Sequence, residues 1–291
     1  MIYYKSNLIF FVLILPAIFL RLATSIYPNI STIFISFTDL NLLDGTDNYV
    51  GLKNYFRYYY NPNSFGILIF SLVFVITSTF LQVFLGLLVA LLLNINSSIK
   101  NIIRTFSLLP WAIPMIVVAY TFSWLLDDQF GFITLFNYFF EEKIIVFLSP
   151  IGAKLTVILV NSWKTMPFVA ILLLTGLQSI NNEQIEAAKV DGAKKIDILF
   201  YIILPSLLPL ITVISILLFV SQFGNFDLIF GLTKGGPGFS TQILALQIFN
   251  DSIMYFKFGY AAAESVILLT IVIFISLFGT RLYLYFTNKY E

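Results

Sequence analysis

Six stretches of this chain are long and apolar enough to cross a lipid bilayer as helices, and that leaves few folds open. A helix rises about 1.5 Å per residue, so a hydrocarbon layer of roughly 30 Å takes about 20 residues. The stretches run from Leu8 to Tyr27, Phe65 to Leu93, Ile102 to Leu126, Ile151 to Leu174, Leu204 to Phe223 and Tyr260 to Tyr283. In lipid every backbone amide must be satisfied within the chain, so the expected fold is an all-α membrane protein. We expect one transmembrane domain over residues 1–291.

Composition bears on what such a bundle can do. With 59% hydrophobic residues, 11% charged residues and a mean hydropathy of +0.94, the chain is not a soluble domain. A net charge of +1 argues against nucleic acid as a partner, because phosphate binding needs clustered Lys and Arg. There is no cysteine and no histidine, which removes disulfides, thiolate nucleophiles, imidazole bases and the usual zinc ligands. No metal site and no catalytic residue is expected.

An even number of crossings puts both termini on one side. The short polar pieces there carry Lys5, Lys100, Arg104, Arg281 and Lys289, opposed by Glu291, so the positive-inside rule makes that side cytoplasmic and the location a plasma membrane. The opposite loops hold Asp39, Asp44, Asp47, Asp127, Asp128, Glu141, Glu142, Asp227 and Asp251, along with Lys53, Arg57, Lys143, Lys234 and Lys257. Lys5 and the apolar run after it resemble a signal peptide, but Tyr27 to Phe37 stays apolar and aromatic, so the first span is read as uncleaved. Arg21 is expected to snorkel to an interface or find a partner inside the bundle.

Within the spans, polar and helix-breaking residues mark where function concentrates. Pro110 and Pro114 should bend the third span, and broken helices are tolerated where they line a cavity. GFITLFNYFF reads as a short helix at the outer interface. In the fourth span Asn161, Lys164, Thr165 and Phe168 recur at i, i+3, i+4 and i+7, a polar stripe too expensive to place against lipid. Lys164 either serves the path or pairs with Glu264 of the sixth span. The fifth span ends in Ser221, Gln222, Asn225 and Asp227 beside Phe223 and Phe226. Hydroxyls and amides interleaved with aromatic faces suit a sugar. The cytoplasmic stretch from Gln178 to Pro209 reads as a helix starting near Asn182, capped by Asn181 with Gln184, and stopped at Asp191 and Gly192. A second helix follows from Ala193, and Pro205 marks the change to the next span.

EAAKVDGAKKIDILFYIILP, with Glu186, Ala187, Ala188, Asp191, Gly192 and Ala193 at fixed spacing before Ile202, Leu204 and Pro205, resembles the EAA loop of ABC importer permeases. VGLKNY at residues 50–55, GLTKGGPG at 231–238 and GYAAA at 259–263 are similar to signatures of the sugar, maltose-type branch, while Glu264 departs from a position usually apolar there. The resemblance implies a type I importer permease fold whose EAA loop, over residues 178–204, docks on an ATPase. It implies sugar contacts along Asn161, Lys164, Thr165 and Phe168 and around Ser221, Gln222 and Asn225. It also implies two ATP-binding subunits holding ATP and Mg, a second permease subunit, an extracytoplasmic solute-binding protein and a carbohydrate substrate. No G-x-x-x-x-G-K-[ST] occurs, so the chain has no P-loop and is read as a transport subunit, not an enzyme. The alternatives are a glycerol phosphate or polyol permease of the same architecture, and a secondary transporter acting alone.

Overall fold

A computed structural model describes residues 2–94, 100–127, 129–140 and 149–290. Asp128, Glu141, Glu142, Lys143 and Glu291, which entered the charge reading, lie outside the described residues. Among the described residues five helices are long and apolar enough to span a membrane, and a sharply bent pair makes a sixth if it is counted as one span. The chain divides into two units, residues 1–61 with 247–269 and residues 62–246 with 270–291.

In the first unit the opening helix runs further than its hydropathy suggests. It continues through a π-helical turn at Leu22–Ile26 to Ile35. Pro28 follows that turn by two residues, and its ring and missing N–H are what a widened turn accommodates. Arg21 is exposed. A loop from Ser36 to Val50 then folds back and is held by Asn54, whose Nδ2 donates to the Ser36 and Thr38 carbonyls at 2.9 and 2.7 Å. Gly259 lies so close to this loop that a Cβ there would clash with the Thr38 carbonyl oxygen, and its N–H donates to Leu40 O. The glycine of the GYAAA stretch is therefore a packing requirement.

The second unit is built on the second, fourth and fifth spans. The second, Pro62–Leu93, buries Ser64, Ile67, Ser71, Phe74, Ser78, Gln82, Gly86 and Ala90, a stripe at helical spacing. Its outward face carries Phe65, Ile69, Phe80, Phe84 and Leu92, so the polar side is inward and the apolar side meets lipid. Gly86 lets it approach the fourth span, Pro150–Ser179: a Cβ at residue 86 would sit 2.7 Å from Val169 Cγ1. Val169, Leu173, Leu177, Leu207 and Ile214 complete the core between these helices. The bundle uses small residues where backbones meet because lipid supplies no hydrophobic drive between helices.

The third span breaks harder than two prolines require. Arg104–Ala112 and Met115–Leu125 meet at 91°. The short helix Phe132–Phe140 follows, after a turn in which Asp127 Oδ1 accepts from the Gln129 and Phe130 amides at 2.9 and 2.8 Å. Those two amides, Phe130 first, hold the Asp127 carboxyl below its ordinary pKa.

Candidate functional site

Three polar side chains from three different spans meet in the interior of the second unit. Gln82 of the second span and Asn161 of the fourth are fully buried, and Gln222 of the fifth nearly so. Asn161 Nδ2 donates to Gln222 Oε1 at 2.7 Å, Gln222 Nε2 to Gln82 Oε1 at 3.2 Å, and Gln82 Nε2 to the Asn161 carbonyl at 3.5 Å. Asn225, half-buried just past the end of the fifth helix, donates from Nδ2 to Asn161 Oδ1 at 2.8 Å and to Gln222 Oε1 at 3.1 Å. Gly224 ends that helix and lets the chain turn into Phe226–Leu232, which brings residue 225 back over the buried amides. A buried amide network of this kind is stable because its members satisfy one another.

Seven residues along the fourth span from Asn161, about 10 Å at helical rise, Phe168 stacks on Trp111 with ring centroids 5.4 Å apart and planes 16° from parallel. Lys164 lies between, half-buried, and its Nζ donates to the Trp111 carbonyl at 3.3 Å. That carbonyl is free because its helix stops at Ala112, so the break in the third span creates the acceptor that the lysine uses. Lys164 and Thr165 are half-buried and Ser221 is exposed. Ser221 Oγ donates to Leu218 O at 3.0 Å.

The polar stretch after the fourth span folds as its sequence dictates. Asn181 caps the helix Asn182–Val190, with Oδ1 accepting from the Glu183 amide at 3.0 Å. The Gln184 amide goes to the Asn181 carbonyl instead. The helix closes in a Schellman turn: Gly192 stands at φ +83°, its N–H donates to Lys189 O, and the Ala193 N–H reaches back to Ala188 O at 2.9 Å. Asp197 then caps the next helix by accepting from the Lys194 amide at 3.0 Å. Glu186, Ala187, Asp191 and Gly192 are exposed, Ala188 and Ala193 half-buried, and Val190 is 88% exposed. Pro205 does not break the chain here. A π-helical turn at Leu199–Ile203 absorbs it two residues ahead, as at Pro28, and the helix runs on from Lys195 to Phe223.

Residues 82–289 match the family of the binding-protein-dependent transport system inner membrane component. The chain belongs to that family. It is 32% identical over 265 residues to the sulfoquinovosyl glycerol transport system permease protein SmoG of Agrobacterium fabrum, covering 90% of this chain and 86% of that one. To the trehalose/maltose transport system permease protein MalF of Thermococcus litoralis it is 32% identical over 279 residues, covering 94% and 92%. Its fold superposes with a TM-score of 0.80 on a chain from the crystal structure of a bacterial alginate ABC transporter in complex with alginate pentasaccharide-bound periplasmic protein. That chain is 21% identical, with 94% and 93% covered.

In this permease Lys164 is held by the Trp111 carbonyl, and Glu264 accepts from Gln247 Nε2 at 2.6 Å. Gln82 is the member of the amide cluster that the fourth- and fifth-span pattern did not include. Its local signal is a lone amide among the serines of the second span's inward stripe.

Proposed function

We propose that this permease subunit forms half of a carbohydrate path and is driven by a separate ATPase. The observation that carries the reading is Asn225, a half-buried amide backed by Asn161 and Gln222, on the same side of the fourth span as the stacked Trp111 and Phe168 rings. An amide paired with ring faces offers a sugar both of its needs: partners for hydroxyls and a surface for C–H faces. Lys164, Thr165 and Ser221 extend the polar lining. The names of the trehalose/maltose and sulfoquinovosyl glycerol relatives support the same substrate class.

The exposed helix Asn182–Val190 is the coupling element. Its cap and its glycine turn make it a rigid projection, which suits transmission of a rigid-body movement. ATP and Mg sit on two partner subunits, a second permease supplies the other half of the path, and a solute-binding protein delivers the sugar from outside. Both termini are cytoplasmic, on the side of the coupling helix.

The test is uptake by the reconstituted complex. Asn225→Ala and Phe168→Ala should each lower uptake at least about tenfold, the scale of one lost hydrogen-bonding or ring partner. Glu186→Lys should leave the path intact and lower uptake per ATP hydrolysed. Unchanged uptake and selectivity in both path variants would remove the path assignment, and unchanged coupling in Glu186→Lys would remove the coupling one.

One observation favours a second reading, an anionic glycoside or polyol phosphate. The Lys164 ammonium has three donors, and one of them goes to Trp111 O. Under that reading Lys164→Met abolishes uptake of a sulfonated or phosphorylated substrate and spares neutral ones.

A further inference from the structure

A side-chain amide offers a donor on one side and an acceptor on the other, so its orientation decides what it presents. In the ring of amides one member faces a group that cannot turn over. Gln82 Nε2 meets the backbone carbonyl of Asn161 at 3.5 Å, and a carbonyl only accepts. Gln82 therefore turns Oε1 toward Gln222 Nε2, at 3.2 Å. Gln222 Oε1 is left to accept from Asn161 Nδ2 at 2.7 Å and Asn225 Nδ2 at 3.1 Å, and Asn161 Oδ1 accepts from Asn225 Nδ2 at 2.8 Å. Both hydrogens of the Asn225 amide are thus directed inward. Its Oδ1 accepts no hydrogen bond among the described residues and is the group that residue 225 has left to offer.

We propose that Gln82 is a positioning residue that fixes Asn225 as an acceptor, so that the path takes a hydroxyl donor at this point and disfavours groups that only accept. The inference rests on the reading that Asn225 faces the sugar path. Gln82 is fully buried, so it acts through Gln222 and Asn161 and touches no substrate. Reversing Gln82 would reverse each amide after it and turn the Asn225 N–H groups outward. The ring needs no sugar to hold this polarity, because each bond in it is made within the chain.

The experiment uses the complete transporter in proteoliposomes, with a panel of neutral and anionic mono- and disaccharides and monodeoxyfluoro derivatives of each sugar taken up. Fluorine in place of a hydroxyl keeps the size and removes the donor. For the wild type, the derivative at the contacted position should show a KM raised about tenfold with kcat little changed, as for a site that loses one hydrogen bond. Gln82→Met keeps the volume and removes the polarity, and should shrink that ratio to within about twofold. Gln82→Glu still accepts from Gln222 Nε2 in either protonation state, so it should keep the wild-type ratio. A role in packing alone predicts the opposite, since the buried carboxyl is the harsher change and methionine the milder one.

Equal ratios in wild type and Gln82→Met, or equal loss in both variants, overturn the proposal while leaving the carbohydrate reading in place. Uptake of no sugar on the panel by the wild type overturns that reading and this inference with it. Should neither variant assemble, a structure of the wild-type complex with sugar bound decides. Asn225 still bonded to Asn161 and Gln222 while touching a sugar hydroxyl supports the proposal, and Asn225 swung out of the ring overturns it.

Discussion

Asp251 sits on the π-helical turn Asn250–Met254, with its carboxyl largely removed from water. Burial raises its pKa above the ordinary carboxylate value, and Lys257, Arg57 and the Gln247 amide reverse only part of that. The same burial pushes the neighbouring Tyr58 hydroxyl up to about 12, with Glu264 and Tyr260 adding to it. Arg57 lies over the Tyr260 ring at 4.8 Å, so its charge is shared among several neighbours. A carboxyl whose folded pKa is raised favours folding in its neutral form. Its contribution is complete below the ordinary value near 3.8 and is lost as pH rises through the raised one. Asp251→Asn should therefore raise the unfolding temperature of the complex in detergent at about pH 7 and change it little at about pH 4. An equal shift at both pH values would mean that the charge is not what costs stability.

Helices that meet through glycine have little room for error. A Cβ at Gly86 would lie 2.7 Å from Val169 Cγ1 and 3.2 Å from the Ala170 backbone nitrogen, so Gly86→Leu must push the second and fourth spans apart. We expect a loss of about 1–3 kcal/mol, the usual cost of overpacking, seen as a lower unfolding temperature and lower yield of assembled complex. Gly66, where a Cβ would meet nothing within 4 Å, is the matched control and should accept alanine without loss. The same contrast explains what was legible in the sequence. Asn181, Gly192 and Asp197 act on amides no more than five residues away, so their caps and turns are written locally. Gln82 bonds partners 79 and 140 residues distant, and no local pattern records that. Pro205 misled because the rule that proline ends a helix omits the π-helical turn that makes room for it. The carbonyl freed at Trp111 that holds Lys164 and the Gln247 amide that holds Glu264 likewise appear only with the fold.

Across the whole chain the exposed surface is of two kinds, and they call for different surroundings. Phe80, Phe84, Ile76 and Val73 on the second span are exposed and apolar, as lipid-facing residues should be. Ser221 is exposed yet polar, at the end of the fifth span, and Asn225 and Lys164 are half-buried. A polar face at membrane depth is costly against hydrocarbon, so this side belongs toward water or another protein surface. The absence of cysteine makes the distinction measurable, since a single introduced thiol is the only one in this chain. In the assembled transporter, Ser221→Cys should react with a membrane-impermeant thiol reagent at least about tenfold faster than Val73→Cys, because the reactive thiolate forms in water and is suppressed in an apolar setting. Saturating sugar should slow the Ser221→Cys reaction and leave Val73→Cys unchanged. Equal rates at the two positions would place the end of the fifth span in lipid, and a polar path along Asn225 would then have no entrance.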